Sequence, residues 1–206
     1  MARGKRLILV ATWVVFAITW IKPLWPLEQA LHSSLTVVGL VWLHLHDRRW
    51  PMRIGDFALV CGFIVMHCIG ARWMYSNVPY EQWLQSLLGW SPGQAFGWQR
   101  NQFDRLIHLL YGLCLAPALV HWLCQRWRSL SLRQAFALML MLIMCSSLVY
   151  EWLEWVIALL LSPEAAESYN GQQGDIWDAH ADMLLATIGA GLTYPFLQHR
   201  FPGYRD

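Results

Sequence analysis

Residues 134–161 read QAFALMLMLIMCSSLVYEWLEWVIALLL. A helix needs about 20 mostly apolar residues to cross hydrocarbon. This run is long enough to cross and to tilt. Backbone groups in lipid must be satisfied within the segment, which makes a helix the default. Runs of the same kind recur on either side, at 7–25, 30–45, 54–70, 106–123 and 177–197. They are too continuous for the alternation of a barrel strand. The run at 30–45 is the shortest and carries His32 and Ser33-Ser34 near its start. Between the third and fourth runs lies a polar, aromatic segment, 71–105, punctuated by Pro79, Gly89, Pro92, Gly93 and Gly97. The expectation is an all-α, multi-pass transmembrane helical bundle of about six spans, in a single membrane domain over 1–206.

Composition agrees. The chain is 57% hydrophobic and 14% charged, with 14 Trp. A soluble domain carries about 25% charged residues. Indole suits the boundary between headgroups and hydrocarbon. A formal charge of +2 gives no footprint for nucleic acid. The five cysteines fall in or beside apolar runs without metal-binding spacing, so they read as small packing residues. Arg3-Gly-Lys5-Arg6 before an apolar run resembles a signal peptide, but no small-residue cleavage site follows. The first run reads as a retained helix.

Taking the N-terminus as inside, Lys and Arg divide eleven inside against four outside. The inside set closes with Arg200 and Arg205, and the outside set is Lys22, Arg72, Arg100 and Arg105. The positive-inside bias then places both termini in the cytoplasm.

Ionisable groups are costly in a bilayer, roughly 2.5–3.5 kcal/mol each on insertion scales. Here they gather. His67 lies one turn from the outer end of the third run, followed by Arg72-Trp-Met-Tyr75. Arg100-Asn-Gln-Phe-Asp104-Arg105-Leu-Ile-His108 opens the fourth, with Asp104 and His108 four apart on one helical face. Tyr150-Glu151-Trp-Leu-Glu154 places two glutamates on one face of the fifth. Asp175, Asp178 and Asp182 follow i, i+3, i+7 spacing at the start of the sixth, after a Gly171-Gln-Gln-Gly174 turn suited to close approach of a ligand. Gly189 and Gly191 read as sites of close helix packing.

All these groups fall at one membrane level on the extracytoplasmic side. The inner ends carry arginine loops and no comparable acidic group. Asp104, His108, Glu151, Glu154, Asp175, Asp178, Asp182 and His67 are the candidate metal ligands. Their carboxylate excess favours Mg²⁺, Mn²⁺ or Ca²⁺, and the histidines leave Zn²⁺ open.

The series Phe103-Asp104-Arg105-Leu-Ile-His108, Tyr150-Glu151-Trp-Leu-Glu154-Trp155 and Gly174-Asp175-Ile-Trp177-Asp178-Ala-His-Ala-Asp182-Met, with Gly189-Ala-Gly191, resembles the YjdF-type bacterial inner-membrane proteins. The resemblance runs from His67 to Gly191. More distantly the chain is similar to VanZ-like membrane proteins, where Asp104, His108, Glu151, Glu154, Asp178 and Asp182 would hold equivalent places. Arg105 stands where that family usually has Lys, and Glu154 where it has Gln. The resemblance implies a cell-envelope location.

Three readings of function follow. The first is a membrane-embedded, metal-dependent enzyme acting on an outer-leaflet lipid or lipid-linked envelope precursor. Glu151 or Glu154 would be the base, His108 a ligand or acid, and Arg72, Tyr75, Arg100 and Arg105 the substrate contacts. The second is a protein that binds or transports a cation, proton or headgroup, although no charged residue continues a path through the inner leaflet. The third is an assembly factor docking through the aromatic segment 73–98. A homo-oligomer stays open under each.

Overall fold

The computed structural model describes residues 1–201, apart from the side chains of residues 163, 164, 167 and 168. Arg205 of the expected inner basic set lies outside the described residues. The described chain is all helical, with ten elements: α1 (Arg3–Thr19), α2 (Pro26–Arg49), α3 (Ile54–Arg72), α4 (Tyr80–Leu88), α5 (Pro92–Phe96), α6 (Phe103–Arg126), α7 (Leu132–Leu160), α8 (Pro163–Asn170), α9 (Asp178–Gly191) and α10 (Tyr194–Arg200). It is a multi-pass, membrane-embedded bundle, with one correction to the expected six spans. Three described helices, α3, α6 and α7, are long and apolar enough to cross a membrane. The shortfall has local causes. α1 has 17 residues. α2 is longer than the run at 30–45 but carries Glu28, Asp47, Arg48 and Arg49 at its ends. The expected span 177–197 is broken between Gly191 and Tyr194, where Thr193 bonds back to the Ala190 carbonyl at 2.6 Å and Pro195 offers no N–H. The segment 71–105 holds the short helices α4 and α5, which leave Leu87, Leu88 and Phe96 exposed.

Helix ends show why the chain turns where it does. Pro26 opens α2 at the position where its missing N–H costs nothing. Ser131 and Gln134 form a reciprocal capping box at the start of α7. The last carbonyls of α1 are met by side chains from two other helices. Gln29 donates to the Thr19 carbonyl at 3.0 Å, and Arg72 to those of Thr19 (2.6 Å) and Ile21 (3.0 Å). A guanidinium at a helix C-terminus also meets the negative end of the helix dipole.

α6 is the central helix, packed against α3, α7 and α9. One core lies among α6, α7, α9 and α10 around Ala116, Met139, Ile143 and Ala186; another lies among α1, α2 and α3 around Leu40, Leu43, Phe57 and Cys61. Outward positions remain apolar: Leu7, Val10, Val14 and Ile18 on α1, and Trp152, Trp155 and Leu159 on α7, are exposed. Surface that would be a liability in water suits lipid. Of the cysteines, Cys61, Cys68, Cys114 and Cys124 are buried and Cys145 is exposed.

The end of the bundle where α1 begins corrects a second expectation. Buried acids do occur there. Lys5 Nζ lies 2.6 Å from Asp47, and Arg200 lies 2.5 Å from the fully buried Asp56, with His121 Nδ1 at 3.3 Å on its other oxygen. Read alone, the sequence shows only arginine loops and no comparable acidic group at the inner ends, and it singles out neither Asp47 nor Asp56. Folding turns both inward.

Candidate metal centre

At the opposite end, α6 and α9 start side by side because their backbones touch lower down. Gly112 of α6 leaves no room for a side chain: a Cβ there would sit 1.9 Å from the Ala186 carbonyl oxygen. A Cβ on Gly189 of α9 would sit 2.1 Å from the Leu109 carbonyl oxygen. Glycine at both positions lets the helices approach to backbone contact. Gly191, expected to share this role, has open space where its side chain would go.

This crossing brings Asp104 and His108, one turn apart on α6, against Asp182 on α9. One ligand atom from each lies within 4.8 Å of the other two, and all three residues are buried. Metal–ligand distances of about 2.0–2.6 Å place ligand atoms up to about 5 Å apart, so the trio fits one divalent ion. Oδ1 of Asp182 is buried without a hydrogen-bond partner, as is Oε1 of Glu151. An unpartnered buried carboxylate oxygen is expensive unless a cation or proton meets it. Glu151 and Glu154 reach this centre from α7. Glu151 interacts electrostatically with Asp182, Asp104 and Asp178, and Glu154 with Glu151 and Asp104.

The other expected ligands divide off. Asp178 is held by Arg100 Nη2 at 2.5 Å, with Arg105 at 3.9 Å. Asp175 pairs with Arg105 and accepts the Trp177 backbone N–H at 2.9 Å. That N–H, with the two arginines, holds the Asp175 carboxyl below its usual range. Arg100 and Arg105 are therefore engaged by protein carboxylates, and Arg72 by the end of α1. The turn at 171–174 docks on protein too. Arg100 donates to the Gln172 carbonyl at 2.8 Å, Ser76 to that of Gly171 at 3.2 Å, and Asn101 and Gln173 exchange two hydrogen bonds.

His67 faces Tyr75. Met74 and Tyr75 both have positive φ, of 49°, a rare conformation for bulky residues. It folds the phenol back over Gly70, so that Tyr75 Oη lies 2.6 Å from His67 Nδ1. Burial holds the Tyr75 hydroxyl well above its ordinary value, so it stays protonated. The other ring nitrogen, Nε2, has only the His32 carbonyl near it, at 3.4 Å. The hydrogen thus sits on Nε2, and Tyr75 donates to Nδ1.

Sequence reading passed over His32. The residue is 3% exposed, and its ring stacks on that of Tyr169 with centroids 4.3 Å apart. A histidine beside two serines in the weakest apolar run gave no spacing signal. Tyr150, 6.1 Å from the His108 ring, was visible only as a neighbour of Glu151.

From the centre a cavity of about 320 Å³ runs into the bundle between α2, α3, α6 and α7. Asp104, His108, His67, Tyr75 and Tyr150 line its polar end. Its walls below are mostly apolar.

Comparison with known proteins agrees with this architecture. A family model described as "Predicted membrane protein (DUF2238)" matches residues 4–201. The chain is 31% identical over 158 residues to the inner membrane protein YjdF of Escherichia coli strain K12, covering 73% of this chain and 68% of that one. No solved structure matches the chain.

Proposed function

The chain belongs to the DUF2238 family of predicted membrane proteins, which includes the YjdF relative, and on that premise we propose that it is an inner-membrane, metal-dependent enzyme acting on a lipid or lipid-linked envelope precursor. The observation that carries this reading is the buried Asp104–His108–Asp182 trio opening onto an apolar cavity. Asp104, His108 and Asp182 would hold a divalent ion. The chemistry such an ion would supply there is Lewis-acid polarisation of a phosphoryl or carbonyl oxygen and activation of water. Glu151, with an unpartnered buried oxygen beside the trio, takes the proton of the attacking water. Arg100 and Arg105 position Asp178 and Asp175 and thereby hold the first turn of α9, in place of the substrate contact expected of them. Lys5 and Arg200 lie together at the opposite end of the bundle, and basic residues favour the cytoplasmic side, which supports placing this centre on the periplasmic side with both termini cytoplasmic.

The test is metal content by elemental mass spectrometry after chelator-free purification. Wild type is expected to hold about one divalent ion per chain. Asp182→Asn is expected to lose it at least about 10-fold, in line with losses for weakened metal sites. Glu151→Gln is expected to keep the ion, because Glu151 acts beside it. A wild-type protein without metal would overturn the reading. So would an Asp182→Asn variant that keeps a full complement.

Arg100 supplies a separate prediction. Its side chain and that of Asp178 are 12% and 5% exposed. Arg100→Ala leaves Asp178 buried without its nearest cation, and breaking a buried pair from one side costs about 3–5 kcal/mol. The variant is expected to melt lower and to exchange amide hydrogens faster at 171–182. Equal protection in both proteins would contradict this.

A further inference from the structure

The cavity below the metal centre has a shape and a lining that identify part of its ligand. It opens between α2 and α7. α2 packs chiefly on α3 and forms no substantial interface with α7, although Leu35, Gly39 and Trp42 of α2 face Ser146 and Ser147 of α7 across the space. Leu35 and Trp42 line the cavity and are 47% and 57% exposed, unlike its buried lining. Deeper in, Leu43, Ile64 and Ile107 line the cavity and are buried. The route is therefore lateral, from the bilayer into the bundle, and becomes enclosed as it narrows.

Depth and volume fit one occupant. On α6 the lining runs from Asp104 to Leu115, about 16 Å at 1.5 Å per residue. One leaflet of a hydrocarbon core about 30 Å thick is about 15 Å deep. A volume of about 320 Å³ stands at the bottom of the range for ligand pockets, about 300–1,000 Å³. That suits one slender chain and is too small for a whole two-tailed lipid. The polar end also has a definite sign. Asp104 and His108 line it, with Asp182 beside them, while Arg100 and Arg105 are committed to Asp178 and Asp175. Among the described residues that line the cavity there is no arginine or lysine, so an anionic headgroup would be met there through a bound cation.

We propose that the cavity seats one hydrocarbon tail of a bilayer lipid, admitted sideways between α2 and α7, with the headgroup held at Asp104 and His108. The inference rests on the metal-centre reading for the position of the headgroup, and on the cavity alone for the tail. Gly39 is the point of control. A Cβ there meets nothing within 4 Å, so a large side chain can enter the cavity without displacing backbone.

The full chain, in nanodiscs containing a diacyl phospholipid with a diazirine in mid-tail, is irradiated, digested and mapped by peptide mass spectrometry. Label is expected on Leu43, Ile64 and Ile107, which surrounding bilayer lipid cannot touch. Gly39→Trp, and independently Ser147→Phe from the opposite wall, are expected to reduce that label at least about five-fold, with the α1 stripe Leu7–Ile18 labelled as before. Label confined to outward-facing residues would overturn the proposal. So would undiminished label at Leu43 and Ile64 in both variants. Metal content, measured on the same samples, separates the two readings. Label at the buried lining without metal sustains the tail site and removes the metal centre; metal without that label does the reverse.

Discussion

Gly112→Ala is expected to lower the melting temperature by about 6–12 °C, and Gly112→Leu to leave no monodisperse folded protein. A single added carbon at this position meets the Ala186 carbonyl oxygen at 1.9 Å and the Ala190 nitrogen at 2.6 Å. Both are backbone atoms in the C-terminal half of α9, so no rotamer change relieves the contact and the helices must separate. Overpacking of a tight contact costs about 1–3 kcal/mol, and at about 2–4 °C per kcal/mol for a chain of this size the upper end of that cost, about 3 kcal/mol, gives the stated shift. The same separation carries Asp182 away from Asp104 and His108, so metal occupancy should fall in Gly112→Ala even under conditions where the protein is folded. Gly191→Ala is the control, because its side chain would enter open space. There the better helix propensity of alanine should raise stability by about 0.5–1 kcal/mol. A Gly112→Ala protein with unchanged melting and full metal would mean that the α6–α9 contact does not set the site.

The same crossing shows what the sequence could reveal. Gly189 was legible because it stands in a Gly-Ala-Gly triplet on a helix already marked as functional. Gly112, its counterpart across the interface, is a lone glycine in an apolar run, and no periodicity marks which helix will press on it. Asp104, His108 and Asp182 were legible because charge inside an apolar run is costly and needs a local explanation. Spacing along one helix could not show which acids would meet arginine. Asp178 lies one turn from Asp182 and shares its stripe, yet Arg100 claims it, and Arg100 is brought there by the docking of the turn at 171–174 onto residues 76 and 100–101. Contacts of that kind depend on tertiary approach. The helix count failed for a related reason. Apolar runs at 7–25, 30–45 and 177–197 are real, but Pro195 and the bonded Thr193 hydroxyl break the last of them, and the other two complete the bundle without the length or apolarity of α3, α6 and α7.

Asp56→Asn is expected to destabilise the protein by about 3–5 kcal/mol, whereas the double variant Asp56→Leu with Arg200→Met recovers most of that loss. Asp56 is fully buried at the end of the bundle away from the metal centre and is faced by Arg200 at 2.5 Å and His121 at 3.3 Å. Removing one charge strands the other in a dry site. Replacing the pair by apolar side chains of similar size removes both desolvation costs together. His121 stays tied to Gln125 at 3.0 Å in either variant. The contrast has a functional consequence, because Asp47 and Asp56 are the acids that a path for a cation or proton would need at this end. If they serve only to clamp α2 and α3 to α1 and α10, the double variant should match wild type in metal content and in whatever lipid-modifying activity the proposed enzyme reading requires. If it is stable and metal-loaded yet inactive, charge at Asp56 is needed beyond its pairing with Arg200, and a path through the bundle displaces the enzyme reading.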